Sequence, residues 1–332
     1  MLMLMLAAAA CSTATPECAE RVTLTQTGRW SLVYRTHALG GPHPAIRAAL
    51  VIIHGQGRNA GDYFRTGVAA AFLAGRTADT VVVSPRFASN EGRGCNDKLD
   101  EGEISHACAE HSWRSGAAAP SEPTVDSYGF MDAILKRLAD KRAFPNLGAI
   151  VVTGHSAGGQ YVARYAMANR VHETLGVSVR YVVSNPSSYA YLNALRPAAS
   201  AVCTVKDGCT GGFGPYGEGR NCTTFNHWPY GLEKRVGYTE NTGEETLRKQ
   251  MASRPVTYLM GELDNLPIAG FDGSCPAMAQ GPTRLARGIA YSQHVREAAG
   301  ARHEVVAVPL CGHNNRCVYT ADVALPVLFP AP

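Results

Sequence analysis

The chain has 332 residues, 45% of them apolar and 17% charged, with 34 glycines, 19 prolines and ten cysteines. That much apolar sequence over one or two domain lengths buries a full core, which excludes a disordered or collagen-like chain. The 31 Lys and Arg exceed the 27 Asp and Glu by a spread-out +4, with no basic run longer than two, which argues against nucleic acid as the partner.

Residues 1–10 read MLMLMLAAAA, an apolar run that ends in small residues as the tail of a signal peptide does and is too short to span a bilayer. The alanines before Cys11 resemble a bacterial lipoprotein box in which Cys11 carries lipid, although Ala8 stands where that box usually has Leu. Lipidation and simple cleavage are both open readings. They divide the cysteines differently, because a lipidated Cys11 leaves an odd set and a Cys11–Cys18 bridge leaves an even one. Residues 1–20 are assigned to a leader and tether, and 21–332 to one domain.

Beyond residue 20, β-branched runs alternate with helical patterns. Strands are predicted over 22–27, 30–35 and 48–53, then a helix over 62–76, a strand over 80–84 and a helix over about 125–142. The order repeats with a strand over 149–153, a helix over 157–172 and a strand over 179–184, and ends with a strand over 255–260, a helix over 284–299 and a strand over 303–308. Continuous apolar strands separated by helices imply a mostly parallel sheet covered on both faces. Two segments fall outside this rhythm, 86–123 and 186–250. Loops of such length are functional covers or disordered, and their cysteines favour ordered covers.

Ten cysteines without paired CxxC spacing indicate an oxidising compartment, and so a secreted or periplasmic protein. Cys95 with Cys108, Cys203 with Cys209 or Cys222, and Cys311 with Cys317 are the near pairs, and five bridges are the upper bound. His106, Cys108 and His111 have ligand chemistry for a metal, but a Cys95–Cys108 bridge is favoured over a zinc site there.

The strongest chemical signal is Gly154-His155-Ser156-Ala157-Gly158, a GxSxG placed between the strand over 149–153 and the helix over 157–172. With this much glycine a bare GxSxG arises by chance in roughly one chain in five, so the placement carries the argument. A serine hydroxyl needs a base to take its proton, and a sharp strand-to-helix turn lifts Ser156 toward one. The flanking glycines permit the tight turn, and the amides opening the next helix face developing negative charge.

The stretch GHSAGGQYVARYA, the later SNPSSYAYL and the loop His54-Gly55-Gln56-Gly57 resemble the α/β-hydrolase superfamily, in particular its secreted serine esterases and polyhydroxyalkanoate-depolymerase-like members. The resemblance covers the chain from about residue 22. It implies an α/β-hydrolase fold, a mostly parallel central sheet flanked by helices, with a disulfide-stapled cap insertion at about 186–250. It also implies the order nucleophile, acid, histidine. Asp264, several residues beyond the strand over 255–260, is the expected acid, with Glu262 and then Asp272 as alternatives. His313, just past the last strand and bracketed by Cys311 and Cys317, is the expected base; a bridge between those cysteines, or from either of them to Cys275, would restrain it.

The amide of Ala157 is one expected donor to the oxyanion. The loop carrying Gln56, with Gly57 as alternative, supplies the other. His54 is expected to brace that loop. The aromatics Tyr189, Tyr191, Phe225, Trp228 and Tyr230 gather in the segment where this fold inserts a cap, and Tyr189 and Trp228 are taken as substrate-binding residues. The expectation is a serine hydrolase acting on small or oligomeric esters through an acyl-enzyme, with polyester depolymerisation, peptidase or amidase action, and a non-catalytic binding module as alternatives. No metal or organic cofactor is needed for that chemistry.

Overall fold

The computed structural model describes residues 10–92, 94–109, 111–216, 221–268 and 270–330. The expected leader over 1–10 lies outside them apart from Ala10. The core is an eight-stranded sheet. Its strands are β1 (Ala19–Thr23), β2 (Trp30–Arg35), β3 (Ala48–Ile53), β4 (Thr80–Pro85), β5 (Ala149–His155), β6 (Ser178–Ser184), β7 (Val256–Gly261) and β8 (Glu304–Val308). They lie in the order β1-β2-β4-β3-β5-β6-β7-β8. Neighbours from β4 to β8 are parallel, while β2 is antiparallel to β4 and β1 to β2.

The unbroken apolar runs follow from burial on both faces. In β3, Ala49, Val51 and Ile53 point into one core and Leu50 and Ile52 into the other; in β5, Ile150 and Val152 oppose Val151. The helices are α1 (Ala60–Leu73), α2 (Ser127–Ala139), α3 (Ala157–Ala168), α4 (Glu244–Ser253), α5 (Cys275–Met278), α6 (Arg284–Ala299), α7 (Asn315–Thr320) and α8 (Leu325–Leu328). Residues of α2, α3, α4 and α6 fill the first core, and those of α1, α7 and α8 the second. Each fully buried Val, Leu or Ile side chain contributes about 1.5–3 kcal/mol of transfer free energy, so both faces are needed.

Local chemistry moves several predicted ends. β1 stops at Thr23 because Thr25 closes a turn, its carbonyl accepting from Gly28 N at 3.2 Å and its hydroxyl from Arg29 N at 3.0 Å. α3 ends at Ala168, short of the predicted 172, because Asn169 leaves the helical region at ψ 150° and its amide donates to Tyr165 O and the Tyr181 hydroxyl. α4 lies in a segment where no helix is predicted; few apolar residues mark it, and Leu247 and Met251 alone are buried.

All ten cysteines are paired: Cys11–Cys18, Cys95–Cys108, Cys203–Cys209, Cys222–Cys275 and Cys311–Cys317. The Cys11 sulfur is therefore engaged with Cys18, as in the even-set reading. Cys275 bonds Cys222 and not Cys311 or Cys317, which ties the 186–250 segment to α5.

Candidate active site

At the end of β5 the chain turns into α3 through Ser156, whose φ of 60° and ψ of −118° lie outside the ordinary regions for a residue with a side chain. Main-chain contacts hold it there. A Cβ on Gly154 would stand 2.4 Å from Gly158 O, one on Gly158 2.4 Å from Ile53 O, and one on Gly159 2.3 Å from Ser184 O. The ends of β3 and β6 thus press directly on the turn, and Ser156 N donates to Ser184 O at 3.0 Å.

The loops after β7 and β8 bring the other two expected residues to this serine. His313 Nε2 lies 2.9 Å from Ser156 Oγ, and His313 Nδ1 lies 2.8 Å from Asp264 Oδ2. A carboxylate only accepts, so Nδ1 bears the hydrogen and the Nε2 lone pair faces the serine hydroxyl. Asp264 is 2% exposed; Asn185 Nδ2 donates to its Oδ2 at 2.6 Å, and Arg284 Nη1 lies 3.5 Å from its Oδ1. Asn185, at φ 45° just past β6, is itself fixed by Gly261 N, which donates to its Oδ1 at 2.9 Å. The loop of His313 is closed by Cys311–Cys317 and by Asn314, whose side chain accepts from Cys317 N at 3.1 Å and caps α7. His155 packs its ring 4.6 Å from that of His313, and burial holds its pKa well below the ordinary histidine value, so it adds no charge beside the imidazole.

Asn185 and Arg284 are absent from the sequence reading. Asn185 stands in the SNPSS stretch, at a strand end where a left-handed residue is favoured. Arg284 had a weaker signal: a cation in the first turn of a helix opposes the helix dipole and implies a carboxylate nearby. Glu262 is exposed, and Asp272 accepts from the Tyr230 hydroxyl at 2.9 Å; neither is brought to His313.

Ser156 and His313 open onto a cleft of about 640 Å³ that is also lined by Gln56, Gly57, Tyr63 and Asn314. The Ala157 amide belongs to the first turn of α3, where N–H groups have no acceptor within the helix. The loop bearing Gln56 is braced by His54. His54 Nδ1 donates to Gly55 O at 2.8 Å and its Nε2 accepts from Phe87 N at 3.0 Å, a pattern that requires a neutral ring. Complete burial supplies it, pushing the His54 pKa down to about 4. His106 is likewise buried, bonded to Ser31 Oγ at 2.9 Å, and Cys108 is bonded to Cys95, so this pair offers no thiolate.

Tyr189 and Trp228, the expected substrate-binding residues, are not in the lining of this cleft; Trp228 lines a separate pocket together with Arg114 and Tyr230. Tyr189 is fully buried and stacks on Tyr291 at 4.4 Å between ring centres, and the Trp228 indole N–H donates to Ser115 O at 2.9 Å. Their large apolar rings fix the 186–250 segment to the body of the protein. Of the same aromatic group, Tyr230 lines a second pocket of about 300 Å³, which meets the cleft at Gln56 and Gly270.

No protein-family model matches the sequence, and no curated protein matches it. Among solved structures, a poly(3-hydroxybutyrate) depolymerase from Bordetella parapertussis superposes with a TM-score of 0.63 at 21% identity, covering 95% of this chain and 91% of that one. A poly(aspartic acid) hydrolase-1 from Sphingomonas sp. KT-1 gives a TM-score of 0.59 at 20% identity, covering 94% of this chain and 98% of that one. The chain has the α/β-hydrolase fold.

Proposed function

We propose that the protein is a serine hydrolase that cleaves carboxylic esters through an acyl-enzyme. The observation that carries this reading is the continuous line Ser156 Oγ, His313 Nε2, His313 Nδ1 and Asp264 Oδ2, with contacts of 2.9 and 2.8 Å, opening on a cleft. His313 removes the Ser156 proton as Oγ attacks the ester carbonyl, then delivers it to the leaving alcohol. Water, activated by the same imidazole, releases the acid and restores Ser156. Asp264 holds the tautomer and stabilises the imidazolium. The amides of Ala157 and Gln56 receive the oxyanion, where a lost donor costs about 3 kcal/mol of transition-state stabilisation.

A polyester substrate is the second reading, supported by the neighbour described as a poly(3-hydroxybutyrate) depolymerase. The five disulfides support maturation in an oxidising space, hence a secreted or periplasmic enzyme. The Cys11–Cys18 bridge favours simple cleavage of the leader over a lipid anchor on Cys11. A fluorophosphonate probe is expected to label the folded wild type and not Ser156→Ala; a folded wild type that resists the probe overturns the reading.

A further inference from the structure

The second pocket carries two guanidinium groups for which ester cleavage alone has no use. Arg164, on α3, is 2% exposed; its Nε donates to Pro229 O at 2.9 Å and its Nη2 to Ser188 Oγ at 3.0 Å. Across the pocket, Arg114 Nε donates to Ser112 Oγ at 2.9 Å and Nη1 to Gln160 Oε1 at 3.3 Å. Gln160 Nε2 donates in turn to Ser188 Oγ at 2.7 Å, so Arg114, Gln160, Ser188 and Arg164 form one chain.

Every acceptor in that chain is neutral. Among the described residues neither arginine forms an ion pair, and no protein group accepts from Arg114 Nη2 or Arg164 Nη1. The acid in the lining is Asp272, which already accepts from the Tyr230 hydroxyl at 2.9 Å and from Ser274 N at 3.0 Å. Two cations and one carboxylate leave the lining with a net positive charge. Burial lowers both arginine pKa values, that of Arg164 to about 10, and a guanidinium keeps its proton at neutral pH. A buried charge without a partner costs several kcal/mol, and the pocket is open to an anion that would offset this. The planar fork of a guanidinium matches a carboxylate, and the Ser188 hydroxyl, accepting from both Gln160 and Arg164, keeps its own hydrogen to donate.

We propose that this pocket binds a carboxylate of the substrate beside Ser156, so that the preferred esters carry a free carboxyl group near the scissile bond. The inference rests on the reading of Ser156 as the nucleophile. It makes the enzyme one that acts on acid-bearing small esters and on the carboxyl ends of short chains.

The test compares monomethyl with dimethyl esters of diacids from succinate to sebacate, pairs that differ by one methyl group and one charge. Wild type is expected to favour the monoester at least about 10-fold in kcat/KM at one chain length, the scale of a charge-assisted hydrogen-bonded pair. Arg114→Gln brings that ratio toward one, and Asp272→Asn raises it; a ratio taken within each variant cancels any general loss of activity. In parallel, calorimetry on Ser156→Ala is expected to show monomethyl ester binding more tightly than dimethyl ester, with the preference lost in Ser156→Ala/Arg114→Gln. Diester hydrolysis with no monoester preference at any length overturns the carboxylate site and leaves the nucleophile reading standing. Preferential monoester binding by Ser156→Ala without hydrolysis of either ester by wild type overturns the esterase reading and supports the site. Neither hydrolysis nor preference overturns both.

Discussion

Ser156 is held by main-chain atoms, whereas Asp264 and His313 are held by side chains. Around the serine, the carbonyls of Ile53, Gly158 and Ser184 come so close that no Cβ fits at three glycines. Around the acid and the imidazole, placement depends on Asn185, Arg284, the cap by Asn314 and the Cys311–Cys317 bridge. A backbone turn has one packed solution and fails by unfolding. A side-chain network loses one partner at a time, so it fails by losing chemistry while the fold persists.

The largest effect is expected on the side-chain half. Asp264→Asn removes the acceptor that sets the His313 tautomer, so kcat should fall by a factor on the order of 10⁴ while the protein still folds. Ester kinetics together with circular dichroism check it, and unfolding of this variant would erase the contrast. Gly159→Ala probes the other half. Helix propensity alone favours alanine by about 1 kcal/mol, but a Cβ 2.3 Å from Ser184 O forces β6 away from α3. The net loss should exceed about 4 kcal/mol in denaturant unfolding, and a gain in stability would show that backbone contact does not fix the turn.

The Ser156 side also leans on one neutral ring, which gives a smaller, pH-dependent effect. His54 has a pKa of about 4 in the folded protein against an ordinary 6.5, so between those values the unfolded chain binds the proton first. Stability linked to His54 is complete above pH 6.5 and declines as pH falls toward 4, by roughly 3 kcal/mol over the window. His54→Asn should lower stability at pH 7.5 yet flatten its dependence between pH 6.5 and 4. Urea melts at several pH values test this, and an unchanged slope would show that His54 does not set the pH dependence.

The same contrast explains what was legible in the sequence. The sheet was readable because burial on both faces writes itself as runs such as ALVII, and the serine turn because its sterics demand glycines at fixed spacing. His313 could be placed because it follows the last strand. Asn185, Arg284 and the Arg114–Arg164 pocket were not legible, since the role of each depends on contacts between segments far apart in sequence: Arg114 reaches Gln160, and Asn185 reaches Asp264. That Tyr189 and Trp228 stand outside the Ser156 cleft is hidden for a related reason. Aromatic composition does not distinguish a pocket wall from a ring whose polar atom is satisfied inside the core, as the Trp228 N–H is by Ser115 O. The Cys222–Cys275 pairing was equally hidden, because spacing alone does not set connectivity.

Rapid-quench mass spectrometry with excess p-nitrophenyl butyrate tests most directly whether Ser156 forms an acyl-enzyme. A burst of p-nitrophenol equal to the enzyme concentration is expected, with a butyryl adduct confined to the peptide that contains Ser156. Steady hydrolysis with no adduct, or with the adduct on another residue, would contradict it.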